Sequence, residues 1–290
     1  MAATPEQIRV LRLAKRHWLG LSGAVVLLAI VAAALLAPEL APYDPNDQLA
    51  DGISADGSPL PPSHEYLLGT DLLGRDLLSR LLFGARTSLV IGMVANGISI
   101  TIGTLLGLVA GYVRGTLGGA IMRFTDLMMA FPALLLAIAL SAIFQPSLWI
   151  VAMVIAMVNW VHIARVIYTE TIALAERDFI VATRALGARP VHVLLHHMLP
   201  HLLPTILVWS TLGIASTVLL EATLSYLGIG VRPPTPSWGN IIFENQTYFR
   251  SAPWLVFFPG AAIALLAFSC NLFGDALRDI LDPHEIGRGR

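Results

Sequence analysis

Six long apolar runs dominate this chain: Leu19 to Ala37, Ser88 to Tyr112, Leu127 to Phe144, Leu148 to Ile167, Leu202 to Leu224 and Trp254 to Phe273. Each is close to or longer than the roughly 20 residues that carry a helix across a hydrocarbon core about 30 Å thick. A backbone in lipid has to satisfy its own N–H and C=O groups, and the runs are too long and continuous for barrel strands, so an all-α membrane protein with six transmembrane helices is expected. Composition agrees: 56% of the residues are hydrophobic and 13% charged, a balance that a soluble domain of this size could hardly keep in solution. The near-neutral net charge says nothing about nucleic acid, and no nucleic-acid partner is expected of such a chain.

Arg9, Arg12, Lys15 and Arg16 precede the first run, as in a signal peptide. Its length and the poor cleavage site at Pro38-Glu39-Leu40-Ala41-Pro42 read instead as an uncleaved anchor. Basic residues gather between alternate spans, at Arg114, Arg123, Arg165, Arg177, Arg184, Arg189 and Arg278. The positive-inside rule then puts both termini and the segment Asp178–Pro200 in the cytoplasm. The expected organisation is a cytoplasmic tail (1–18), an anchor helix (19–37), an extracytoplasmic loop with an amphipathic segment (38–86), and a core (87–290) holding five spans and the segment 176–200.

The leucine pairs and charges of Asp71–Arg86 suit a helix lying in the interface or packed on a partner. Within the second span Gly103, Gly107 and Gly111 repeat every fourth residue, a spacing that lets another helix come close. It does not say whether that helix belongs to this chain.

The chemistry that is missing is also informative. A phosphate-binding loop needs a lysine, and the only lysine is Lys15 in the tail, so no nucleotide or other cofactor is expected on this chain. Cys270 stands alone inside the last run and reads as a small apolar residue. His192, His196, His197 and His201 form two i, i+4 pairs offset around a helix without a supporting carboxylate. They read as a polar face toward a partner or lipid headgroups, with no metal site. Of the ionisable residues within or beside spans (Glu221, Arg165, Asp126, Arg123 and Asp275), Glu221 is the candidate intramembrane polar site, with pairing or a proton relay as its two readings. No nucleophile is set beside a base, so there is no catalytic residue to name.

Asp178–Pro200 is a polar, glycine-broken stretch longer than a connection between spans needs, with helical patterning on both sides of Ala185-Leu186-Gly187-Ala188. It reads as a folded device that something outside the chain grips.

Ala182-Thr183-Arg184-Ala185-Leu186-Gly187 followed by Met198-Leu199-Pro200 resembles the EAA segment of permease subunits from binding-protein-dependent ABC importers. Leu68-Gly69-Thr70-Asp71, Leu73-Gly74-Arg75-Asp76, Gly84-Ala85-Arg86, Glu221-Ala222-Thr223-Leu224-Ser225-Tyr226-Leu227-Gly228, Pro236-Ser237-Trp238-Gly239 and Asn271-Leu272-Phe273-Gly274-Asp275 are similar to the second permease subunit of dipeptide and oligopeptide importers. The resemblance covers nearly the whole chain. It implies the type I ABC importer permease fold with a cytoplasmic coupling helix, in a bacterial or archaeal plasma membrane.

The implied partners are a homologous second permease, two cytoplasmic ATPase subunits or a fused pair carrying ATP and Mg, an extracytoplasmic peptide-binding protein, and membrane lipid. The same architecture carrying nickel chelates, glutathione or another small solute is the nearest alternative, and a stand-alone proton-coupled transporter a more distant one. The coupling residues carried over are Ala182, Thr183, Arg184, Gly187, Ala188 and Pro200. Val181 stands where the family usually has Glu, and Thr183 where it has a second Ala, so Ala182 and Gly187 are expected to act by shape.

Overall fold

The structure is a computed structural model that describes residues 18–281 apart from Pro146. The basic tail with Lys15, and residues 282–290, lie outside the described residues. Among the described residues the regular elements are helices, joined by turns and two isolated β-bridges.

Helix α1 (Trp18–Leu35) is apolar on all sides, and α2 (Ala37–Leu40) follows as one short turn. The stretch from Ala41 to Asp76 is an ordered loop. Thr70 Oγ1 donates to Gly52 O at 2.6 Å and accepts from Leu60 N at 2.8 Å, and bridges pair Ile53 with Pro59 and Thr70 with Asp76. Tyr66 is buried beneath this loop, where loss of water and the Asp51 carboxylate push its phenol up to about 12.

Helix α3 (Leu77–Val113) starts where the Asp76 carboxylate accepts Ser79 N at 2.7 Å, an N-cap that satisfies one of the orphan N–H groups of the first turn. Residues 77–86 are thus the first turns of the second span, and no separate interfacial helix forms there. The cap fixes the start at Leu77, well before the apolar run begins at Ser88. Arg114 (φ 53) and Gly115 (φ 59) then turn the chain sharply into α4 (Gly115–Met129).

The third apolar run is broken. Helix α4 ends and α5 (Ala133–Ile143) begins with a 90° bend at Ala130-Phe131-Pro132. Pro132 lacks an N–H and pushes Phe131 out of the helical region, which explains the break inside an otherwise apolar stretch. Among the described residues five helices are long and apolar enough to cross a bilayer, and the bent pair taken as one span makes six.

Helix α6 (Leu148–Ala175) is capped by Ser147, whose Oγ accepts Ile150 N at 3.2 Å. It pairs closely with α3 along the glycine stripe: a Cβ on Gly107 would stand 2.5 Å from Ala164 O, and one on Gly111 would stand 2.7 Å from Thr171 Cβ. The fourfold glycine spacing is therefore used inside this chain, backbone against backbone.

After α6 come the short α7 (Asp178–Ala185) and the long α8 (Pro190–Tyr226). The base of α8 contains a π turn over Val193–Met198, in which Leu199 N bonds Leu194 O. Pro200 follows it after Leu199. It can donate no bond to His196 O and its ring crowds that carbonyl, and a widened turn relieves both. Helix α9 (Trp238–Asn245) lies across the ends of α3 and α8, and α10 (Trp254–Leu281) packs on α8 and on α1, where Gly20 and Gly23 meet Ala276 and Leu272.

Candidate functional site

Three places in the fold concentrate polar or docking chemistry. The first is the segment 178–200, the one expected from the sequence to dock on a partner. Ile180 of α7, and Val193 and Met198 of the π turn, are fully buried against Leu108, Ile167 and Ala175. Phe179 stacks on His201 with ring centroids 5.1 Å apart, and the Arg184 guanidinium lies 5.4 Å from the centre of the Tyr112 ring. The segment is thus seated firmly on the ends of α3, α6 and α8. Its other side is bare: Leu186 is 89% exposed, and Phe179, Val181 and Val191 are exposed beside it.

Among the six carried-over residues, Ala182, Arg184, Gly187 and Pro200 are exposed while Thr183 and Ala188 are half-buried. Gly187 has φ +82, and a Cβ there would touch nothing within 4 Å. The glycine serves backbone conformation and not clearance. Residues 190–200 belong to α8, so Pro200 lies about three turns inside a span helix, and His192, His196, His197 and His201 share its base. The His192 and His196 rings stack at 4.5 Å.

The second place is at the opposite end of the bundle. Arg75 Nε donates to Asp71 Oδ2 at 2.6 Å and its Nη2 to Glu244 Oε2 at 3.1 Å. Arg80, with no exposed surface, donates to the same Glu244 oxygen at 2.5 Å and lies 3.5 Å from Asp71. Two arginines and two carboxylates thereby pin the 71–76 turn and the start of α3 to α9. Glu221 lies nearby and is fully buried: Ser88 Oγ donates to its Oε2 at 2.9 Å and Ser225 Oγ to its Oε1 at 2.8 Å, while Trp238 N donates to Ser88 Oγ. This joins α3, α8 and α9, the pairing arrangement for a carboxyl taken out of water.

The third place lies between these ends. Helices α3, α6 and α8 border an open cavity of about 290 Å³ near the middle of their lengths, lined by Asn96, Ser99, Asn159, His162, Trp209 and Ser216 among others. Asn96 is buried and donates from Nδ2 to Ser210 O at 2.6 Å, and Asn159 Nδ2 reaches Thr217 Oγ1 at 3.4 Å. His162 and Ser216 are exposed at the rim.

With this architecture in view, the sequence pattern of binding-protein-dependent transport system inner membrane components matches residues 103–286, and that of the N-terminal membrane domain of oligopeptide transport permease C matches residues 8–62. The chain belongs to this permease family. The permease is of the DppC/OppC type: it is 42% identical over 264 residues to the di/tripeptide transport system permease protein DppC of Pseudomonas aeruginosa, covering 91% of this chain and 87% of that one. It is 38% identical over 274 residues to the dipeptide permease DppC of Alkalihalophilus pseudofirmus (93% and 87% covered), and 37% identical over 277 residues to the glutathione permease GsiD of Pectobacterium atrosepticum (94% and 89%). The fold is shared with a chain of the MetNI methionine ABC transporter at TM-score 0.58 and 18% identity, covering 70% of the permease and 96% of that chain. The permease is accordingly a multi-pass inner-membrane protein with the type I importer architecture, and its relatives are transport subunits.

The cavity and the charge cluster were not singled out from the permease sequence. Asn96, Asn159 and His162 are polar residues inside apolar runs, and that interruption was the available signal. Glu244 lies 169 residues from Arg75, so no local pattern could connect them.

Proposed function

We propose that this permease forms half of the translocation pathway of an ATP-driven importer of dipeptides and oligopeptides, with its termini and the 176–200 segment in the cytoplasm. The chain itself performs no chemistry. A homologous permease supplies the other half of the pathway, two ATPase subunits or a fused pair bind ATP and Mg, and an extracytoplasmic binding protein delivers cargo. The printed names of the dipeptide permeases support the cargo class; the glutathione permease keeps a related tripeptide within reach.

The observation that carries the coupling role is the contrast within 178–198. Leu186 stands 89% exposed at the tip, while Ile180, Val193 and Met198 are fully buried at its base. An apolar tip on a firmly packed seat is what a partner's groove can grip and push as a unit. Ala182, Thr183, Arg184, Gly187 and Ala188 flank the tip in the chain, and Pro200 follows the base. Glu221 is bound on both oxygens by serines, which supports a structural role over proton coupling.

The test is the Mg-ATPase activity that co-purifies with the tagged chain in mild detergent, with Lys15→Ala in parallel. Activity carried by additional subunits and unaffected by Lys15→Ala is expected. Leu186→Asp should lose most of that activity while the chain stays folded. A folded single chain without ATPase would overturn the assignment and turn attention to uptake by this chain alone.

A further inference from the structure

The cavity between α3, α6 and α8 holds groups that a span facing only lipid would not keep. His162 stands near the middle of α6, exposed, and forms no hydrogen bond among the described residues. An ionisable, unpaired side chain at that depth is costly in hydrocarbon and belongs to a face that meets protein or water. Asn96 is 6% exposed, spends its Nδ2 on Ser210 O, and keeps Oδ1 free of any hydrogen bond among the described residues. Gly213 leaves room for that oxygen beside α8, because a Cβ there would strike it. Asn159 and Ser216 complete a polar rim, and the Trp209 indole forms an apolar wall.

The donor set narrows the ligand. Two amides, two hydroxyls, an indole and one imidazole supply donors and acceptors, with neither a carboxylate nor a thiol in the lining. Such a set lacks the ligands for a metal ion and the fixed charges that would hold a peptide terminus. It complements the alternating N–H and C=O groups of a peptide main chain, which side-chain amides match in both directions. A volume of about 290 Å³ is near the lower end for small-molecule sites, and suits a short peptide segment shared with a facing subunit.

We infer that Asn96, Asn159 and His162 form this chain's part of a peptide-backbone contact site at the middle of the membrane, with His162 at the rim facing the moving cargo. The inference rests on the peptide-import reading. Weak, neutral contacts let cargo of varied side chains enter and leave, which transport requires.

The test uses the complete complex with its binding protein in proteoliposomes, comparing uptake of lysyl-lysine and glutamyl-glutamate. A charge placed at a cargo contact should bias the two peptides oppositely. His162→Asp should raise the lysyl-lysine to glutamyl-glutamate uptake ratio about tenfold and His162→Arg lower it about tenfold, as expected for a single charge near a partly shielded partner. A purely structural role would slow both peptides alike. Ratios within about twofold of the unaltered complex in both variants would overturn the site, since transition-state contacts with cargo would then be absent.

Labelling gives a second readout for complexes that assemble but transport poorly. In a Cys270→Ala background, His162→Cys should react with a water-soluble methanethiosulfonate, and tri-alanine delivered by the binding protein should slow that reaction. Met153→Cys, on the opposite side of α6 by helical geometry, serves as the lipid-facing reference. Equal labelling at the two positions, or no protection by peptide, would overturn the site. If the unaltered complex took up no peptide at all, the cargo reading itself would fall, and the inference with it.

Discussion

Arg80 is a full positive charge held where no water reaches it, and its compensation comes from Glu244 and Asp71 at 2.5 and 3.5 Å. Removing one partner strands the other. Glu244→Leu alone is expected to destabilise the protein by about 3–5 kcal/mol, whereas Arg80→Met combined with Glu244→Leu should recover most of that loss; thermal unfolding in detergent reads both. Gly187 poses a different residue-scale question, because its φ of +82 is ordinary for glycine and strained for a β-branched side chain. Gly187→Val should reduce ATP-dependent uptake while membrane insertion persists, and Gly187→Asn, which tolerates that region, should retain most uptake. Normal uptake by Gly187→Val would remove this turn from the coupling path. The glycine was legible in the sequence as a break between two helical patterns. The Arg80 pairing was not, because Glu244 arrives on α9, far along the chain.

Helices α3 and α6 are held together by what α3 lacks. Gly107→Leu would drive a side chain into the Ala164 carbonyl and the backbone behind it, and overpacking of this kind costs about 1–3 kcal/mol or more when backbone must move. The yield of monodisperse protein in detergent should fall sharply, and Gly97→Leu, where a Cβ meets nothing within 4 Å, should be tolerated. The glycine repeat could be read from spacing alone, and only its partner was missing. Other elements escaped for stated reasons. The third run looked continuous because hydropathy does not register the proline that bends it at Pro132. The second span began earlier than its apolar run because Asp76, a capping carboxylate, sets the start. The base of α8 looked like surface structure because its histidines and prolines hid its continuity with the span.

At the scale of the whole molecule, burial against lipid dominates, and so the helical class and the number of crossings followed from the apolar runs. The cavity did not, since it exists only where the middles of three spans meet. Helix α8 ties the three sites together: the seat of the 178–188 segment at Val193 and Met198, the cavity at Trp209 and Ser216, and the Glu221 cluster near its far end. Its residues Pro190–Tyr226 run about 55 Å at the ordinary helical rise. On the proposed reading, one rod serves both nucleotide-driven docking and cargo, and thermodynamic linkage then works in both directions. Whatever free energy ATPase engagement spends on altering the cavity's hold on peptide, peptide in the cavity returns as an equal change in how tightly the ATPases are held.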